Sequence, residues 1–491
     1  MSSESLPLGE SKSPLIGVAG QELRLRRGVL GIVDISAATM ANIGPAMSFF
    51  FGFGLLAITA GVAAPLTIVV AIVAIAFLGN TLSQFSRAQP STGGFITFVG
   101  KSFGGTSAVT TALVAGLGYI IAMSSVIAIS GGFLSITLNR YLHWNIPWGI
   151  LTVLLTLGAV YMMIRGVSVS TKVAGFFFVF EMVMLVVVSV AALVKNGGHL
   201  SLAPFEPSHI KNGFSGLAAG FPLAIYLFIG WENSAALAEE TDNPRRNVPR
   251  AVFTSIVIMG VSYLVFAYAT VTGFGYNVTK LGAAQIPFIS VAQSTLGALA
   301  FFAYLAGMTS TLGALIAGTN SQARLVFSAG RERLLPAWIG KVNTNRRTPM
   351  NAIFLFIGIS GIIIGGWALG HVIGGTTGSL DPINYFFESS TMGTILVLVV
   401  YLLANLALPF YYRRYRPQEF SVVKHAVLPA LGAVVIVVPL YYLAKPGQPT
   451  PYNWFPYAAL AVVVIAAVWA FLLNSRDPEL GGRVGSLVAD E

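Results

Sequence analysis

The sequence contains no cysteine, which excludes disulfides, thiol nucleophiles and thiolate metal ligands. Charge is also scarce: Asp, Glu, Lys and Arg make up 9% of the 491 residues, against about 25% in a soluble domain. The five histidines, His143, His199, His209, His371 and His425, fall in or near loops without metal-ligand spacing. No serine nucleophile pattern stands out. Neither an enzyme nor a metal site is expected. Residues Met1 to Gln21 are polar and lack an apolar core followed by a cleavage site, so no cleavable signal peptide is expected. What the chain has instead is apolar length, 55% of it hydrophobic, and such a chain has a lipid bilayer as its solvent.

Stretches long enough to cross a ~30 Å hydrocarbon core lie near residues 28–58, 62–85, 104–138, 147–165, 170–195, 215–240, 248–273, 287–325, 350–373, 384–412, 425–444 and 454–474. They predict an all-α, multi-pass membrane protein of about twelve helices, with no connection long enough for a separate soluble domain. The formal charge of +10 follows topology. Arg24, Arg26 and Arg27 precede span 1, and Arg245, Arg246, Arg250, Arg324, Arg331, Arg333, Lys341, Arg346, Arg347, Arg413, Arg414, Arg416 and Lys424 occupy the even-to-odd connections. The other side holds Arg140, Lys195, Lys211, Lys280 and Lys445. The positive-inside rule then puts both termini in the cytoplasm and the protein in the cell membrane, and no nucleic-acid partner is implied. Asn277-Val278-Thr279 is a glycosylation sequon, a pattern short enough to arise by chance.

Two spans carry defects. Span 6 reads F-P-L-A-I-Y-L-F-I-G-W-E-N-S from Phe221, with Glu232 buried mid-span behind Gly230. A carboxylate at the bilayer centre costs at least ~2.5–3.5 kcal/mol and normally faces a partner or a water-filled cavity. Span 1 has Asn42, Gly44 and Pro45 at its centre, where glycine and proline together unwind a helix. Both breaks share a pattern: Ile43-Gly44-x-x-x-Ser48 and Ile229-Gly230-x-x-x-Ser234. Five spans separate the two starts, so the second copy enters from the opposite face, as in an inverted repeat with substrate bound between two discontinuous helices. Glycine-kinked helices packed through small residues would give the same glycines, but they leave Glu232 unexplained.

Span 2 leads into R-A-Q-P-S-T-G-G-F-I-T-F-V-G-K-S-F-G, where Pro90, Gly93 and Gly94 predict a re-entrant or tightly turned gate loop. It lacks the lysine spacing of a phosphate-binding loop. Span 8 carries Thr309, Ser310 and Thr311. Such hydroxyls usually bond back to their own helix; facing an unwound segment, they can ligate sodium.

These segments, with G-W-E in span 6, A-E-E-T-D-N-P-R-R-N-V-P-R-A after it and S-Q-A-R-L-V-F-S-A-G-R-E-R-L-L-P-A-W after span 8, resemble the amino acid–polyamine–organocation superfamily of secondary transporters. That superfamily shares its fold with the bacterial leucine transporter. The resemblance implies a five-plus-five inverted repeat, residues 28–195 and 215–412, discontinuous helices 1 and 6, two further helices in 425–474, short cytoplasmic tails at 1–27 and 475–491, and alternating access. Carried over by motif, the substrate site falls on Ile43, Gly44, Ala46, Met47 and Ser48 in span 1 and on Tyr226, Phe228, Ile229, Gly230 and Trp231 in span 6. Free amides at one half-helix would meet a carboxylate, carbonyls of the other an ammonium, and aromatic rings would close over it. For those three aromatics ordinary helix packing stands as the alternative.

Two departures stand out. The usual glycine–small–glycine of the first break is Gly44-Pro45-Ala46, which puts a carboxylate cradle in question. Where several proton-coupled relatives carry a lysine in span 5, the spacing puts Glu181. Four roles are open to it: proton carrier, counter-ion for a cationic substrate, part of a cation site with Thr309 and Ser310, or a protonated group bonded to a neighbouring helix. Glu232 matches a family glutamate linked to proton sensing. Asp34 and Glu388 are further acids, the first near the cytoplasmic end, the second at a span start. The expectation is a secondary permease for amino acids or related amines, coupled to protons, with sodium coupling, exchange, polyamine transport and a non-transporting nutrient receptor as the alternatives.

Overall fold

The computed structural model describes residues 25–485, which are helical throughout with no β-ladder, apart from one isolated bridge between Leu30 and Thr241. Arg24 and the tail residues 1–24 and 486–491 lie outside the described residues. The helices are α1 (Ile32–Ile43), α2 (Pro45–Ala60), α3 (Ala64–Ala88), α4 (Phe95–Phe103), α5 (Gly105–Leu142), α6 (Trp148–Ile164), α7 (Val167–Lys195), α8 (Phe214–Tyr226) and α9 (Asn233–Ala236). They continue as α10 (Pro244–Gly273), α11 (Val278–Ala283), α12 (Pro287–Leu296), α13 (Phe301–Arg331), α14 (Met350–Ile373), α15 (Pro382–Tyr415), α16 (Leu428–Ala444), α17 (Phe455–Arg476) and α18 (Leu480–Arg483). Among the described residues, nine segments are long and apolar enough to cross a membrane, the first being Ile32–Ala88, which contains α1 to α3; α6 and α8 are shorter apolar helices.

In hydrocarbon every backbone amide must be satisfied within the protein, and helices do this locally. Proline stands in the first turn of α2, α3, α10, α12 and α15, where its missing N–H costs nothing. Leu154, Leu157, Phe176, Val183, Ile362, Val464 and Trp469 are exposed on the outer helices. So many exposed apolar side chains on helices of membrane-crossing length fit a lipid surround.

Inside this apolar wall α5 packs along α15 and α13, α13 along α7 and α1, and α10 along α3, α1 and α7. The expected breaks are both present but unequal. Span 1 is interrupted at Gly44 alone, which ends α1 in the left-handed region (φ 61°) and starts α2. Span 6 stops at Tyr226, runs through turns over residues 227–232, and resumes only as the single turn α9. The gate loop expected after span 2 is a turn over Thr92–Gly94 that leads directly into α4.

Candidate functional site

Where α1 ends, Gly44 donates its amide back to Met40 and Ala41, and the next donors face out of the break. Pro45 has none. The Ala46 amide donates to Glu181 Oε2 of α7 at 3.0 Å, and the Met47 amide donates to Ser310 Oγ of α13 at 3.0 Å. Ser48 Oγ donates to the Ile43 carbonyl at 2.7 Å and closes the turn from the other side. Glu181 is fully buried, lies beside Ser310, and its Oε1 has no hydrogen-bond partner among the described residues.

The second break uses its own acid. Gly230 donates its amide to Glu232 Oε2 at 3.2 Å, and Tyr119 Oη of α5 donates to Glu232 Oε1 at 2.9 Å. Gly230 sits at φ 107°, and a Cβ there would stand 2.7 Å from Asn42 Nδ2 and 3.2 Å from the Asn42 carbonyl carbon. Only glycine lets the two breaks approach so closely. Asn42 Nδ2 then spans them, donating to the Gly230 carbonyl at 3.4 Å.

Between the breaks lies a cavity of about 50 Å³, bounded by Ile43, Met47, Ser48, Tyr226, Ile229 and Gly230 and by residues of α5, α13 and α15. Six of the ten residues expected to bind substrate are therefore brought together. The other four do not line it. Gly44 faces Met47, Ala314 and Ser310, and Ala46 is engaged with Glu181. Phe228 is buried against Tyr263, with ring centroids 5.3 Å apart, and Trp231 against Phe95 and Tyr401. For those two aromatics the packing alternative describes their place.

Sequence reasoning missed Ser125, Gln322, Ser390 and Thr394, which supply much of the polar lining. They lie on long helices with no break to mark them. Of the hydroxyl pair in span 8, only Ser310 meets the first break; Thr309 Oγ1 donates to Ala306 of its own helix at 3.1 Å. Asp34 accepts the Gly31 amide at 2.9 Å and caps α1. Glu388 accepts from Trp367 Nε1 at 2.9 Å.

Larger spaces adjoin the site on one side. A cavity of about 450 Å³ lined by Phe51, Leu55, Leu223, Thr391 and Tyr452 shares Tyr226 and Ser390 with the small one. On the other side Asn42 and Gln322 are shared with a cavity of about 20 Å³ that contains Glu232 and Tyr119. Beyond it the arginine-rich face is closed. Arg324 pairs with Glu240, both essentially without exposure, and Arg331 pairs with Glu239 at 2.8 Å. Val29 and Leu30 donate to the Glu240 carbonyl at 3.0 Å, Leu25 donates to Glu239, and Glu239 donates its amide to Thr92 of the turn before α4 at 3.2 Å. Just past α13, Glu332 accepts the Gly485 amide at 2.9 Å. Burial pushes its carboxyl up to about 7, against the opposing pull of that amide, Arg331 and Lys101.

A lipid-facing helical wall around a cavity between two interrupted helices defines a multi-pass membrane protein. The chain belongs to the amino acid permease family, whose model matches residues 30–468. It is similar to the branched-chain amino acid permease BcaP of Bacillus subtilis (strain 168), 23% identical over 484 residues that cover 93% of this chain and 96% of that one. Cationic amino acid transporter 6, chloroplastic, of Arabidopsis thaliana is 23% identical over 82% of this chain and 68% of its own. Asc-type amino acid transporter 1 of Mus musculus is 24% identical over 46% and 44% respectively.

Proposed function

We propose that this amino acid permease is a secondary transporter that imports amino acids or related amines by alternating access, driven by protons. The reading includes the five-plus-five repeat and two cytoplasmic termini. The observation that carries it is a row of neighbouring spaces that share lining residues: a wide cavity, the cavity between the breaks behind Tyr226 and Ser390, and, behind Asn42 and Gln322, a small one at Glu232, with the closed Arg324–Glu240 pair beyond. A site walled by one thin side-chain layer on one side and by buried ion pairs on the other fits one half of an alternating-access cycle.

In this reading the substrate enters past Tyr226 and lodges between the breaks, its ammonium against break carbonyls and neutral polar side chains. About 50 Å³ holds a few waters at most, so binding separates α1 and α2 from α8 and α9. That movement strains the Asn42–Gly230 link and is transmitted through α9 to Glu239 and Glu240, whose pairs hold the far side shut. Protons are favoured over sodium because the Thr309 hydroxyl is bonded back to Ala306 of its own helix, leaving two buried acids at the two breaks to carry charge.

The test is uptake of radiolabelled leucine and isopentylamine into proteoliposomes under an imposed proton or sodium gradient. Accumulation above equilibrium under the proton gradient alone is expected. In Glu181→Gln and Glu232→Gln, gradient-driven uptake falls more than binding does. Saturable binding with no uptake by the wild type would make the protein a nutrient receptor instead.

A further inference from the structure

The start of α2 is the natural seat for an anion at this site, because unpaired amides and the positive end of a helix converge there. In this chain the seat is taken. Glu181 Oε2 holds the Ala46 amide and Ser310 Oγ holds the Met47 amide, while the next amide, of Ser48, is already bonded to Gly44 within the helix. The second break repeats the arrangement, with Glu232 on the Gly230 amide. A substrate carboxylate therefore finds neither break free.

Resting on the permease reading above, we infer that Glu181 is an internal stand-in for a substrate carboxylate, which binds at α2 only in exchange for a proton taken up by Glu181. The surroundings enforce the exchange. Glu181 has no exposure, and among the described residues no lysine, arginine or histidine is within ion-pairing distance of it. Two ionised carboxylates cannot share such a site, so one must carry a proton.

The elements packed on α7 offer no alternative cation. α2, α6 and α12 contain no charged residue, α1 has only Asp34 in its first turn, and the arginines of α13 lie at its far end, Arg324 held by Glu240 and Arg331 by Glu239. α10 presents the Tyr263 phenol toward Glu181, with its arginines in its first two turns, and α7 itself carries only Lys172 and Lys195 besides Glu181. The unpartnered Oε1 is the oxygen on which the proton arrives: the Glu181 carboxylate gains an O–H as the substrate carboxylate takes the amide it leaves. A substrate with an ammonium and no carboxylate makes no such demand. Specificity and proton coupling would then reside in one side chain.

The experiment measures binding of leucine and of its decarboxylated analogue isopentylamine to detergent-purified protein between about pH 6 and pH 9, with proton uptake followed in weak buffer. For the wild type, the leucine Kd rises toward about ten-fold per pH unit once Glu181 is ionised in the empty site, and uptake approaches about one proton per leucine at the alkaline end. Isopentylamine takes up no proton, and its Kd does not weaken. Glu181→Gln keeps a neutral acceptor for Ala46, so its leucine Kd is flat and its uptake zero. Leucine binding to the wild type with a flat Kd and no proton uptake overturns the inference while leaving the permease reading intact. So does a wild-type slope retained in Glu181→Gln. If neither ligand binds the wild type, the reading fails and the inference with it. Should the variant not fold, the wild-type comparison of the two ligands decides alone.

Discussion

The two faces of the molecule are closed by different physics. On the arginine-rich face the contacts are ionic and backbone-specific: Arg324 with Glu240, Arg331 with Glu239, and the segment from Leu25 to Leu30 laid against residues 239–242. On the opposite face the boundary of the site is one partly buried phenol, Tyr226, backed by Phe386 at a centroid separation of 6.2 Å. A buried ion pair is strong only in one geometry, because its desolvation is offset only by exact partners; an aromatic contact weakens gradually as a ring slides. In the proposed alternating-access cycle the first would act as a two-position latch and the second as a soft lid.

The largest disturbance of that contrast is removal of one latch partner. Glu240→Gln leaves Arg324 buried without its counter-charge, at a cost of about 3–5 kcal/mol. The expected result is a clear fall in thermal stability, partly restored in the double variant with Arg324→Met. Probes of access come next. Because the chain has no cysteine, single cysteines report cleanly: Thr391→Cys, in the wide cavity, is expected to react quickly with a small polar thiol reagent, and Ser321→Cys, beside Glu232, to stay protected. Fast labelling of Ser321→Cys would mean that the arginine-rich face is open. Tyr226→Ala should join the wide and small cavities, speed labelling of Ser48→Cys, and weaken substrate retention without lowering stability as far as Glu240→Gln does.

The smallest effect concerns Glu332 at the edge of the latch. Its folded pKa of about 7 lies above its ordinary 4.5. Its contribution to stability is thus fully present below the unfolded value and is lost as pH rises through about 7. The melting temperature of Glu332→Gln should decline less than that of the wild type across this interval.

Much of the frame was legible before any coordinate. Gly44 and Gly230 mark both breaks because each takes a positive φ where a side chain is disfavoured and a Cβ would crowd its neighbours. The burial of Glu181 and Glu232 followed from their place inside apolar runs. What each acid touches did not follow. Thr309 and Ser310 are neighbours in sequence, but about 100° apart around a helix, so only one faces α2, and that depends on how α13 crosses it. Phe228 and Trp231 flank the second break, yet the turns over residues 227–232 point them into packing and leave Tyr226 and Ile229 on the cavity. Ser125, Gln322, Ser390 and Thr394 sit among hydroxyls and amides that mostly bond to their own helices, and nothing local distinguishes them.

The sequence by itself determined that the chain is a helical membrane protein, where two of its helices break, and that acids are buried near the breaks. Those properties depend on hydrophobic run length, on backbone dihedrals and on the cost of burying charge, all of them local. Only the tertiary structure decided that Glu181 holds the amide at the start of α2 and that Arg324 finds Glu240. Both pairings join residues far apart in the chain, and a hydrogen bond between them forms or fails within a few tenths of an ångström, a margin set by how whole helices pack.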